Sequence, residues 1–272
     1  TVAQTLPNIR RIDTTLMISA DDDDVSALKG LESLPKDPRL HISVKPREDS
    51  RGAKYDRALT EAPADLYLPA IDCAPILTPG FDQILLDKAA RFPDRIGVIH
   101  TQFVYRGTFP PALQAMTAGF VAKMGYIYNH DYPFWFIDHE TDDMARLIGR
   151  YFYANIDIPT GPTRPAKTHR LRDLQFWTSY YDLMALDRRA KAREIIQGDD
   201  FLTPDWLKAD LLENFTWIEN RSRLINEGVR RDAATIEAQR GESGPPDEGY
   251  MRAKARAEQK LSEYLLALKA AA

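Results

Sequence analysis

Four consecutive aspartates, Asp21 to Asp24, stop a compact apolar run at residues 14–20 (TTLMISA). A short apolar run that ends abruptly in turn-forming acids reads as a buried β-strand with its carboxyl end at a loop. The same signal recurs at residues 41–44, 65–71 (DLYLPAI) and 96–101 (IGVIHT), and amphipathic stretches at 25–33, 52–61 and 80–90 lie between them. Strands alternating with helices point to an α/β sheet rather than a bundle or a sandwich. Residues 110–127 read as carrying a further helix. Residues 141–149 open another, with acids in the first turn where the helix dipole favours them. The Pro-, Gly- and Thr-rich segment 158–168 (IPTGPTRPAKT) is too broken for regular structure.

From about residue 171 the character turns helical, with apolar residues at helical spacing over 174–196, 201–239 and 250–271 and a breaker at 241–247 (GESGPPD). The sequence thus divides into an α/β unit, residues 1–198, and a helical appendage, residues 199–272. Composition narrows the class. With 44% hydrophobic residues and 36 Lys and Arg against 40 Asp and Glu, a disordered or fibrous chain is excluded, and the net charge of −4 gives no general attraction to nucleic acid. The single cysteine cannot form an internal disulfide, so the cytoplasm is the default compartment. No apolar run approaches the roughly 18 residues of a membrane span, and residues 1–11 are too polar for a signal peptide. A start at Thr1 fits removal of an initiator Met or a missing upstream piece.

The candidate chemistry sits at strand ends and in one aromatic segment. Acids beyond the carboxyl end of a strand in an open sheet can accept ribose hydroxyls or base N–H groups or hold a cation, although a solvated, helix-capping turn accounts for Asp21 to Asp24 equally well. Asp72 ends the 65–71 strand in the same way, and one carboxylate there can ligate a divalent cation that bridges two phosphates. Its neighbour Cys73 reads as a small buried residue. The densest polar group is residues 129–143 (NHDYPFWFIDHETDD), where aromatics that can pack on a sugar or base alternate with carboxylates able to act as a general base. No spacing there matches a zinc signature. Between Arg164 and Arg193 eight basic residues face three acids, and His169 to Arg172 is the part that reads as phosphate-binding. Walker, dinucleotide-binding, nucleophile-elbow and zinc-deaminase motifs are all missing from the sequence.

Taken in order, TTLMISADDDD, GAKYDRALTEAPADLYLPAIDCAPILTPGFDQIL, KMGYIYNHDYPFWFIDHETDDMARLIGR and RDLQFWTSYYDLMALDRR resemble the motif series of GT-A fold nucleotide-sugar glycosyltransferases. The likeness is to the branch of small bacterial and phage enzymes related to the inverting family-two type. The resemblance covers residues 1–189 and rests on the ordered set rather than on any single motif. It implies a Rossmann-like mixed central sheet flanked by helices, with a C-terminal helical extension. It further implies that Asp22 and Asp23 contact the nucleoside, that Lys54 and Asp56 lie beside the base or ribose, and that Asp72, helped by His169, holds Mn²⁺ or Mg²⁺. Arg170 and Arg172 would face the diphosphate. Glu140, or in second place Asp138, would deprotonate the acceptor hydroxyl.

The chain departs from the family pattern in three places. Cys73 stands where the pattern has a second acid, His169 falls later than the usual metal-binding histidine, and the usual first strand is absent. The implied donor is a UDP-sugar, and the acceptor a glycan or a modified base in nucleic acid. The long C-terminal helices could pair with a second copy. The competing reading is a non-catalytic GT-A-like binding or assembly module. A nucleotidyltransferase would want a Gly-rich basic loop, which the sequence lacks.

Overall fold

A computed structural model describes residues 1–71, 74–101, 113–159, 172–240 and 245–271, with the backbone alone at 206, 236–240 and 268–271. One helical turn, α1 (Val2–Thr5), precedes β1 (Leu16–Asp21), α2 (Val25–Leu31) and β2 (Leu40–Lys45). β1 and β2 pair in parallel from Leu16↔Leu40 to Asp21↔Lys45, so Asp21 and Lys45 share one carboxyl-end edge. Parallel neighbours need a crossover, and α2 supplies it. Then follow α3 (Arg51–Tyr55), α4 (Arg57–Glu61), β3 (Leu66–Tyr67), α5 (Phe81–Ala89), β4 (Val98–His100), β5 (Gln114–Thr117), α6 (Ala118–Met124), α7 (Ile137–Leu147) and β6 (Tyr151–Tyr153). The rest is helical: α8 (Leu174–Leu183), α9 (Ala185–Gln197), α10 (Asp205–Glu213), α11 (Phe215–Arg240) and α12 (Glu248–Ala271).

The class is mixed α/β, as the alternation of apolar runs and amphipathic stretches predicts. The single central sheet is not what forms among the described residues. The strands divide into the β1–β2 pair and a separate four-stranded sheet in the order β3–β5–β4–β6, antiparallel except for β4 with β6. Two of these strands escape the sequence reading. β5 lies inside the predicted helix 110–127: Gln-Ala-Met-Thr has no intrinsic strand preference, but it is fully buried and hydrogen-bonded on both edges, and that pairing overrides propensity. β6 (Tyr-Phe-Tyr) follows a helix too closely to stand out as a separate apolar run. The predicted strand 65–71 contracts to two residues. α7 begins four residues before the predicted start, because Phe136 takes a left-handed φ of 71° and opens the helix by accepting the Glu140 N–H.

One continuous apolar cluster runs from Val98 and Met116 of the sheet through α6, α7, α8 and α9 to Phe215 and Ile218 of α11 and Tyr250 of α12. Residues on both sides of position 198 therefore share a core. A second cluster joins Leu6 and Ile9, in the segment after α1, to α5 and the far face of β4. Asp82 ties that segment down, accepting hydrogen bonds from the Arg10 and Arg11 amides and the Thr14 hydroxyl.

Gly52 of α3 sits against the 127–132 loop, where a Cβ would lie 2.4 Å from the Tyr128 carbonyl oxygen. Backbone cannot swing aside as a side chain can, so Gly52→Ala is expected to destabilise the fold by about 1–3 kcal/mol, read as a lower urea midpoint at unchanged m-value.

Candidate functional site

The four aspartates that end β1 and follow it perform four different tasks. Asp21 is buried and ion-pairs with Lys54 of α3 and, at 3.1 Å, with Arg47. Asp22 is exposed and uses its backbone amide to extend the sheet to the Lys45 carbonyl. Asp23 receives two hydrogen bonds from Arg47, which hold its carboxyl below the usual aspartate range. Asp24 caps α2 by accepting the Ala27 N–H. The buried Arg57 of α4 closes the cluster underneath, donating to the Ala20 and Pro46 carbonyls and pairing with Glu48. Carboxylates and cations thus alternate at the carboxyl ends of two parallel strands, where ligands of open sheets bind.

The structure brings Lys54 to this cluster and turns Asp56 elsewhere. Asp56 accepts the Ile127 N–H at 2.8 Å and lies 2.7 Å from His130 Nε2, so it anchors the 127–132 loop. Arg172 lies over the ring of Tyr250 in α12, 5.7 Å from its centroid. Asp72, His169 and Arg170 fall outside the described residues. Among the described residues no group of three or more His, Cys, Asp or Glu could hold a metal ion.

Asp138 and Glu140, two residues apart on α7, face different ways, as a 3.6-residue period requires. The Asp138 carboxylate accepts the His139 N–H at 3.0 Å and lies 3.1 Å from His139 Nδ1. Burial opposes its charged form, but hydrogen bonds and charge from His139 outweigh burial and hold the pKa below the ordinary value. One helical turn further on, Asp142 joins Arg146 at 3.0 Å, Arg221 at 3.1 Å and the fully buried His100 at 3.3 Å. Burial pushes that imidazole down to about 4 against the pull of Asp142, so the ring is neutral at pH 7. Asp143 accepts the Tyr181 hydroxyl at 2.6 Å and is also bonded by Ser222. These acids serve to fasten α7 to its neighbours.

Glu140 instead lines a cleft of about 340 Å³ between the 126–132 loop, α7, α9 and α12. Its Oε1 accepts the Tyr126 hydroxyl at 3.1 Å and the Asn129 amide at 3.0 Å. Its Oε2 is buried and has no hydrogen-bond partner among the described residues. Burial raises this carboxyl above the ordinary glutamate range, and the Arg188 charge with the Asn129 and Tyr126 hydrogen bonds offsets only part of the rise. Arg188 is itself buried, stacked 3.7 Å from the centroid of the Tyr181 ring and donating to the Tyr181 carbonyl.

Three cleft residues escape the sequence reading, which assigns phosphate binding to residues 169–172 and leaves 188–193 as a solvated face. Arg188 and Lys191 line the cleft, and the available signal is that Arg188 shares the buried side of α9 with Ala192 and Ile195. Lys260 enters the cleft from α12, on the stripe that buries Ala253 and Ala257. Among the described residues, no helix is long and apolar enough to cross a membrane. The chain matches no protein-family model, and a search of the curated proteins finds no relative.

Proposed function

We propose that this chain is a GT-A-type glycosyltransferase domain that moves a sugar from a nucleotide-sugar donor, a UDP-sugar in the first instance, to an acceptor hydroxyl with inversion. The observation that carries the reading is Glu140: a buried carboxylate on a cleft wall, one oxygen fixed by two donors and the other without a partner. Such a group can take a proton from a hydroxyl placed in the cleft. The motif order of the sequence supports the same reading, as does the acid and cation cluster at the ends of β1 and β2, which suits a ribose and a diphosphate.

In the reaction the acceptor O–H bond breaks and its proton passes to Glu140. The freed oxygen forms a bond to the anomeric carbon, and the bond from that carbon to the diphosphate oxygen breaks on the opposite face. The bonding pair leaves with the nucleoside diphosphate. Lys54 and Arg47 would balance phosphate charge at the strand ends while Asp21 holds both cations in place. A divalent cation held by Asp72 and His169 would neutralise the diphosphate leaving group.

Calorimetry across nucleoside diphosphates and nucleotide sugars, with and without Mn²⁺, tests the proposal. Saturable binding of a uridine diphosphate species, with slow release of free sugar from the matching donor, is the expected result. Absence of binding to every nucleotide in the presence of Mn²⁺ would overturn it.

A further inference from the structure

We propose that Lys260, on the C-terminal helix α12, is a positioning residue for Glu140, acting through Asp131 and Asn129, so that the helical tail completes the candidate active site. The inference rests on reading Glu140 as the base. Its geometric basis is a continuous chain of contacts. Lys260 Nζ lies 3.0 Å from Asp131 Oδ2. The Asp131 amide donates to Asn129 Oδ1 at 2.9 Å, and Asn129 Nδ2 donates to Glu140 Oε1 at 3.0 Å. The Tyr180 hydroxyl also donates to Asp131 Oδ2, at 3.2 Å. The loop that carries Asn129 is therefore held on one side by Asp56 and on the other by Lys260.

The charge balance around the cleft gives the second argument. Glu140, Asp131 of the loop and Asp187 of α9 all line it. Carboxylates around one cleft repel and favour protonation of the most buried, which is Glu140. Against them stand Arg188 and Lys191 of α9 and Lys260. Arg188 also faces Asp143, 4.0 Å away on the Glu140 helix, and Lys191 pairs with Glu194. Lys260 is the cation that spans two of the acids, Asp131 at 3.0 Å and Asp187 at 3.6 Å. Its backbone is fixed, because Tyr250 and Ala257 of the same helix are buried in the main core.

Other basic residues of α12 provide the control. Lys254 pairs with Asp173 at 2.6 Å and does not line the cleft. A merely structural role would make Lys254 and Lys260 equivalent, and the positioning role separates them.

The test uses the full chain as wild type, Lys260→Met, Lys260→Arg and Lys254→Met. The Glu140 carboxyl is titrated by carbon-13 NMR, with its signal assigned from Glu140→Gln. Hydrolysis of UDP-glucose, UDP-galactose and UDP-N-acetylglucosamine is followed against pH. Lys260→Met is expected to move the Glu140 titration and the acid limb of kcat to higher pH. It should lower kcat about three- to tenfold at unchanged donor KM. Lys260→Arg restores both, and Lys254→Met leaves both at wild-type values. A Glu140 titration that is unmoved in Lys260→Met, or moved equally in Lys254→Met, overturns the relay. If wild type hydrolyses none of the three donors, the loss falls on the glycosyltransferase reading, and the carboxyl titration still decides the role of Lys260.

Discussion

Glu140→Gln is expected to lower sugar transfer about 10²- to 10⁴-fold while donor affinity stays within about twofold of wild type. The amide keeps the volume of the side chain and can still accept from Tyr126 and Asn129 through its oxygen, so the cleft wall is preserved. What it cannot do is accept the acceptor proton. Because burial raises the carboxyl, the acid limb of the wild-type kcat profile should lie above the ordinary glutamate value, with activity rising as pH increases through it. The residual activity of the variant should lose that limb. A variant that transfers sugar at the wild-type rate would remove Glu140 from the chemistry and favour a binding module instead. Asp138→Asn provides the contrast, since Asp138 is paired with His139 and does not line the cleft.

Trp177→Ala is expected to cost about 3–5 kcal/mol of folding stability, a large share of the roughly 5–15 kcal/mol of a typical domain. Trp177 is fully buried in α8 and meets Tyr132, Phe176, Tyr180 and Tyr250 edge-on. Its indole N–H donates to the Tyr250 hydroxyl at 3.2 Å, and that hydroxyl donates to Asp173 at 2.7 Å. Removing the ring opens a cavity at the junction of α8, α12 and the loop that carries Tyr132. Trp177→Phe separates the contributions: it keeps most of the packing and loses the hydrogen bond, for about 1 kcal/mol. Urea unfolding followed by far-ultraviolet circular dichroism measures both. A loss below about 1 kcal/mol for the alanine variant would mean that the junction repacks freely.

How much of this was legible beforehand depended on whether the determinant was local. The run TTLMISA and the aspartates after it locate β1 and its edge, because burial and turn chemistry are both written within ten residues. The aromatic and acidic segment 129–143 likewise marks the cleft. The division of labour within each acid cluster was not legible. Asp21, rather than Asp22 or Asp23, is the buried acid, since only the pairing of β1 with β2 decides which aspartate turns inward. Asp56 serves the 127–132 loop because that loop, 71 positions away, presents the Ile127 amide to it. β5 reads as helix in the sequence for the same reason: the strands that pair with it lie outside its own segment. Lys260 looks like any solvated helix charge until α12 is seated beside Asp131.

The shared core also fixes the smallest piece of chain in which the cleft can be studied. Its walls come from residues 124–144, 184–191 and 260, and α11 and α12 bury apolar side chains in the same interior as α6 to α9. A fragment stopped near residue 198 would bare the faces that now cover Phe215, Ile218 and Tyr250, and it would lack Lys260 as well. The long helices are thus inseparable from the cleft, and a loss of any function on trimming them says nothing about whether they bind another molecule.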